Sequence, residues 1–181
     1  REGTAWVEEA VLSASDSDRG GGQFGYSVSL SDGRVVVGSP SKNQTDAEDA
    51  GAVYVFAFDG SSWIEEASLS PLESNSLDGF GFSISLDGDM LLVGAPWRGG
   101  PGFEFSGAAY LFQRRDEQWL EEAMLSPSDA AAVDNFGHSV SLSFETAVVS
   151  APYGNYFAFE DAGAAYVFRR TGANWAEEAK L

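Results

Sequence analysis

Between Phe24 and Leu69 the apolar and polar positions spell out four short strands. In Phe24–Ser31, Val28 and Leu30 alternate with Ser27, Ser29 and Ser31, the period-two pattern of a strand. Asp32-Gly33 marks a two-residue hairpin turn. Arg34–Ser39 follows as a nearly continuous apolar run, expected where both faces are covered, and Pro40 stops it because it cannot donate to a ladder. A loop leads to a third strand at Ala52–Phe58, Asp59-Gly60 turns the chain again, and Trp63–Leu69 is the fourth strand.

This unit recurs. Phe24-Gly25, Phe80-Gly81 and Phe136-Gly137 stand 56 residues apart. Gly38-Ser39-Pro40, Gly94-Ala95-Pro96 and Ser150-Ala151-Pro152 keep the same step, as do the Gly-Ala pairs at 51, 107 and 163. Tyr54, Tyr110 and Tyr166 each precede a Phe by two residues, and Trp63, Trp119 and Trp175 open the last strand of each unit. A lone four-stranded sheet leaves its faces wet, whereas stacking such sheets radially buries them as the blades of a propeller. The expected fold is therefore all-β: three four-stranded antiparallel blades at 13–69, 70–125 and 126–181, preceded at 1–12 by the outer strand of another blade. That extra strand is Trp6–Leu12, whose Trp-Val-Glu-Glu-Ala-Val-Leu matches the other fourth strands. Three blades fall short of the four or more that close a ring. The chain is then either a piece of a longer array or a protomer that completes a ring or fibre with other copies. The spare strand either pairs with a neighbouring molecule by β-augmentation or simply marks where the sequence starts.

Phe-Gly-x-Ser-Val-Ser-Leu, Val-Val-Gly-Ser-Pro (Val-Gly-Ala-Pro in the second unit) and Gly-Ala-x-Tyr-x-Phe together resemble the FG-GAP repeat, over nearly the whole chain. That resemblance implies the β-propeller of integrin α heads and of microbial surface proteins. It also implies an extracellular or cell-surface module for structure or adhesion, rather than an enzyme. Integrin-type repeats often carry an Asp-x-Asp-x-Asp-Gly calcium loop between the Phe-Gly and Gly-Ala-Pro elements. Here that place holds only Ser31-Asp32-Gly33, Asp87-Gly88-Asp89 and Ser143-Phe144-Glu145. Calcium takes six to eight oxygens, so the chain reads as the variety without the calcium loop, and no cofactor is expected.

Composition narrows the partners. With 28 acidic and 10 basic residues among 181, the formal charge is −18. Such a polyanion repels phosphate backbones and anionic lipid, so nucleic acid is not an expected partner. The expected partners are copies of the chain, another protein, or glycans. The absence of cysteine excludes disulfides and thiol chemistry. No apolar run approaches the roughly 20 residues of a membrane-spanning helix.

The candidate sites lie mostly in the loops before the third strands. Trp97, Phe103 and Phe105 in one loop and Tyr153, Tyr156 and Phe157 in the next are the candidate ligand or partner contacts. They either stack on sugar rings and anchor a partner or pack between blades. Glu48, Asp49, Glu104, Glu160 and Asp161 are weak metal candidates; alternatively their carboxylates accept backbone N–H groups and shape the loops. Asn43-Gln44-Thr45 is an N-glycosylation sequon, relevant only in a eukaryotic secretory protein. The pairs Glu8-Glu9, Glu65-Glu66, Glu121-Glu122 and Glu177-Glu178 read as a solvated, charged outer edge. Adjacent strand residues point to opposite faces, which is wrong for the facing carboxylates of a glycosidase. His138 takes an aromatic position of the repeat and reads as packing.

Overall fold

A computed structural model describes residues 5–16, 22–99, 104–155 and 162–181. Every regular element among them is a strand. The first sheet holds β1 (Ser27–Ser31), β2 (Arg34–Ser39), β3 (Ala52–Phe58) and β4 (Trp63–Leu69). The second holds β5 (Ser83–Asp87), β6 (Met90–Ala95), β7 (Ala108–Arg115) and β8 (Gln118–Leu125). The third holds β9 (Val140–Ser143), β10 (Thr146–Ala151), β11 (Ala164–Thr171) and β12 (Asn174–Lys180). Each strand pairs antiparallel with its sequence neighbour, which gives three four-stranded, propeller-like blades.

The expected turns are where the sequence places them. Ser31 pairs with Arg34 around Asp32-Gly33, whose φ values of 46° and 73° suit the mirror-image turns of tight hairpins. The first strand starts at Ser27 rather than Phe24, because Phe24-Gly25 is spent on the turn that delivers it. Each outer hairpin carries a register shift just before the repeated Phe, at Val55/Phe56, Leu111/Phe112 and Val167/Phe168.

The first sheet packs on the second and the second on the third, through two apolar clusters. Val36, Val53, Val55 and Leu69 meet Phe80, Leu91, Val93 and Tyr110 across the first joint. Leu92, Ala109, Leu111 and Leu125 meet Phe136, Val149 and Tyr166 across the second. The serine face of β1, polar by the alternation, also turns toward the next sheet. Ser27 Oγ donates to the Gly81 carbonyl at 2.7 Å, and the N–H groups of Leu86 and Gly88 donate to Ser29 Oγ and Ser31 Oγ at 3.0 and 3.1 Å. One repeat on, Ser83 Oγ donates to the Gly137 carbonyl at 2.8 Å, while Ser85 Oγ and Asp87 Oδ2 accept from Leu142 and Phe144 at 3.0 and 2.6 Å. This close approach explains Gly38 and Gly94. A Cβ there would lie 2.1 and 1.9 Å from the carbonyl oxygens of Gly81 and Gly137.

Two expectations are corrected. Residues 6–12 form no strand; Trp6, Val7 and Val11 are 85%, 56% and 81% exposed. A strand is stabilised by a hydrogen-bonded neighbour, and the first sheet is already complete without this segment. Its last part instead lies over the first sheet, where Leu12 and Ala14 pack with Val37, Tyr54 and Phe56. The three sheets form an arc, not a closed ring.

Candidate interaction surfaces

The arc has two open flanks. On the first sheet Val28 and Leu30 are each 68% exposed, although Leu86 and Leu142, at the repeat position of Leu30, are 7% and 6% exposed. On the third sheet Ser139, Ser141 and Ser143 are exposed, and Val148, Ala165 and Val167 are half-buried. Their counterparts Val36, Val53 and Val55 are fully buried.

The joints show what the paired glutamates do. Glu65 accepts the Ser15 N–H at 2.8 Å, Glu121 that of Leu72 at 2.9 Å, and Glu177 that of Ser128 at 2.8 Å. In two of the pairs the second glutamate reaches across a joint, whereas Glu178 holds Arg169 of its own sheet at 2.8 Å. Glu66 holds Arg34 of its own sheet at 3.0 Å and Arg114 of the next, and Glu122 holds Arg170 of the next at 2.5 Å. Desolvation raises the Glu66 pKa, but hydrogen bonds and charge from Arg114 and Arg34 outweigh it and leave it below the ordinary value. The expected solvated edge is therefore corrected for these residues: their side chains are 15% and 9% exposed and tie sheets together.

At the rim the loop residues divide. Glu48 and Glu104 point exposed side chains outward, and it is their backbone carbonyls that accept, from the N–H groups of Leu77 and Val133 at 2.8 Å each. Asp49 sits at φ 51° and donates its N–H to Asn43 Oδ1 at 2.9 Å. Trp97 is half-buried, edge-on to Phe82 at 5.2 Å. Phe105 and Tyr153 are 41% and 49% exposed. Phe103, Tyr156, Phe157, Glu160 and Asp161 lie outside the described residues. Among the described residues no group of three or more His, Asp and Glu is placed to hold a metal ion. The turns between the first and second strands are two residues long in all three sheets, at 32–33, 88–89 and 144–145. His138 stands in a column of rings, with Tyr26–Phe82 at 4.9 Å and Phe82–His138 at 5.0 Å, and its outer side is exposed.

Sequence reasoning missed Asp78 and Asp134, each 2% exposed and two residues before a repeated Phe. They accept the N–H groups of Asn75 and Ala131 at 2.8 and 2.7 Å and so fix the entry to each first strand. Arg98 lies 3.3 Å from Asp78. Burial nevertheless pushes the Asp78 pKa up. The sequence signal was weak, because Gly22 holds this position in the first repeat and the aspartate occurs only twice.

A model of the FG-GAP repeat matches residues 6–56, 63–112 and 119–168, which together make up most of the chain. Integrin alpha-7 of Rattus norvegicus is 32% identical over 151 residues, covering 75% of this chain and 12% of the relative. Integrin alpha-7 of Mus musculus is 32% identical over 154 residues, with 76% and 12% covered, and that of Homo sapiens is 32% identical over 155 residues, with 77% and 12% covered. The chain thus spans only about 12% of the length of these relatives. With Phe-Gly turns, serine-faced first strands and close glycine contacts repeating through three sheets, the chain belongs to the FG-GAP repeat family.

Proposed function

We propose that the chain is an extracellular structural and adhesive module that acts through protein–protein contact, with association between its own copies as the best-supported contact. The observation that carries this is the pair of open flanks, where Val28 and Leu30 lie in water although their repeat counterparts are covered. Apolar surface of this kind gains free energy when a protein surface covers it. The likeness to integrin alpha-7 supports a place at the cell surface. The charge of −18 disfavours nucleic acid as the partner. Light scattering across a dilution series tests the proposal. The expected molar mass exceeds 19.2 kDa at high concentration and falls toward it on dilution. A constant 19.2 kDa at every concentration overturns self-association.

Glycan binding at the rim is the second reading, favoured by the half-exposed rings of Phe105 and Tyr153. Trp97 adds little to it, since its ring packs on Phe82. Calorimetric titration with oligosaccharides decides. Saturable heat that Tyr153→Ala abolishes supports the rim; no heat across a varied panel removes it.

A further inference from the structure

The middle repeat lacks a contact that both of its neighbours make. In the first repeat Tyr54 Oη donates to Asp16 Oδ1 at 2.7 Å, and Lys42 Nζ lies 3.4 Å from Asp16 Oδ2. In the third, Tyr166 Oη donates to Asp129 Oδ1 at 2.8 Å, and Lys180 Nζ to Asp129 Oδ2 at 2.5 Å. Each carboxylate accepts from one tyrosine and pairs with one cation. The matching residues of the middle repeat are Glu73, Tyr110 and Arg98. The residue before each acid fixes this register, since Ser15, Leu72 and Ser128 donate their N–H groups to Glu65, Glu121 and Glu177.

Glu73 does not repeat the contact. Its side chain is 90% exposed, with Oε2 3.9 Å from Arg98 Nη2. Being one methylene longer than aspartate, it overreaches a hydroxyl that Asp16 and Asp129 meet from the same backbone position. Tyr110, 2% exposed, is left with a covered hydroxyl that has no hydrogen-bond partner among the described residues. Burial pushes its pKa above the ordinary tyrosine value, so the hydroxyl stays protonated and can only gain by donating. The Arg98 guanidinium lies over the same ring, 5.7 Å from its centroid, as Lys180 Nζ lies 5.2 Å from that of Tyr166. Its Nη1 is spent on the Glu73 carbonyl and on Asp78, and its Nη2 has no acceptor within hydrogen-bond distance among the described residues.

We propose that the middle repeat binds a short carboxylate from outside the chain, held between Tyr110 Oη and the Arg98 guanidinium in the place that Asp16 and Asp129 fill in the neighbouring repeats. The surrounding acids do not forbid an anion there. The third repeat holds Asp129 although Asp134 and Glu177 stand where Asp78 and Glu121 stand in the middle one. Charge-assisted bonds from a hydroxyl and a guanidinium are the stronger kind, and they satisfy a donor that is otherwise unmade. The hydroxyl is out of contact with water, so entry requires a shift of the Arg98 side chain, which is 16% exposed. The site lies in the sheet that has a neighbour packed on each side, and one chain supplies all of it. It is therefore independent of the self-association reading.

Calorimetric titration at constant ionic strength is the test, with acetate, with aspartate acetylated and amidated at its backbone ends, and with acetamide as the neutral match. Saturable heat is expected from a carboxylate and none from acetamide. Heat from acetate assigns a free small carboxylate as ligand; heat from the aspartate derivative alone assigns an acidic side chain of another protein. Saturable heat from neither overturns the proposal. Tyr110→Phe is expected to weaken binding by about tenfold or more, and an unchanged affinity overturns it. Glu73→Asp should abolish binding, because it supplies the carboxylate from within, and retained binding refutes the placement. Glu73→Ala should leave the affinity as it is. A gain there shows that Glu73 itself fills the place and overturns the proposal. Melting temperatures give a check without ligand. Tyr54→Phe and Tyr166→Phe should each lower it, since each breaks a bond to a carboxylate. Tyr110→Phe should leave it unchanged or raise it, since it removes an unmade donor. A loss as large as in the other two variants shows the hydroxyl already paired, which also overturns the proposal.

Discussion

At the scale of single residues, Glu66 shows how a surface pattern becomes a joint. Its carboxylate is shared by Arg34 and Arg114, which belong to different sheets, and its side chain is only 15% exposed. Removing its charge leaves two guanidinium groups short of an acceptor. Glu66→Gln should therefore lower the unfolding free energy by about 1–3 kcal/mol, measured by urea denaturation. The pH dependence has a definite sign. A carboxylate whose pKa is lowered by folding binds fewer protons in the folded state. Its stabilisation is present above the ordinary value near 4.3 and is lost as pH falls through the lowered folded value. Asp16 and Asp129 have the same sign. Burial raises the pKa of both, but Tyr54 and Lys42 around Asp16, and Lys180 and Tyr166 around Asp129, outweigh it and leave the pKa lowered. Asp78 opposes them: burial raises its pKa, so its unfavourable charge is relieved as pH falls through the raised value. Acid titration of wild type and Glu66→Gln should show the variant losing less stability below about pH 4. The glutamates themselves were legible, because each pair recurs with its Trp. Their partners were not, because Ser15 lies 50 residues from Glu65 and Arg114 lies 48 from Glu66.

At the scale of the element, hairpins were easy to read and joints were hard. Asp32-Gly33 announces its turn locally, through residues that tolerate positive φ. The ranges of β2, β3 and β4 follow the apolar pattern because each is bounded by Pro, Gly or Asp within the same short stretch. The serines of β1 are different. Alternation says they are polar, and only the neighbouring sheet shows that they bond to its backbone. The misread Trp6–Leu12 makes the same point, since its strand-like sequence lacks the neighbour that would hold it extended. The joint also explains a pair of glycine substitutions that local rules would rank alike. Gly60→Ala faces nothing within 4 Å and suffers only from φ 99°, a cost of about 1–3 kcal/mol. Gly94→Ala drives a methyl to within 1.9 Å of the Gly137 carbonyl oxygen, a backbone atom of the turn that leads into the third sheet. The second and third sheets must separate to admit it. Denaturation should show Gly94→Ala to be the costlier change, by more than about 2 kcal/mol relative to wild type, with the loss confined to the second joint.

At the scale of the whole molecule, each sheet is stabilised mainly by its neighbours, as in other repeat arrays. The second sheet alone has a neighbour on both sides. Leu91, Leu92, Val93, Ala109 and Leu111 are fully buried between the two clusters. The first sheet keeps Val28 and Leu30 in water, and the third leaves Val148 and Val167 half-covered. Opening an end sheet therefore breaks one joint, whereas opening the middle sheet breaks two. Local opening free energy follows the number of joints broken. Hydrogen exchange on dilute protein should thus find the slowest amides in β6 and β7, protected by about tenfold or more over those of β2 and β10. Raising the concentration separates a chain that stays alone from one that associates through its flanks. If flanks cover one another, protection in β1 and β9 rises with concentration while β6 and β7 change little, because their joints were complete already. If protection is flat across the same range, the flanks stay in water, and the gradient from middle to ends is a property of the single chain.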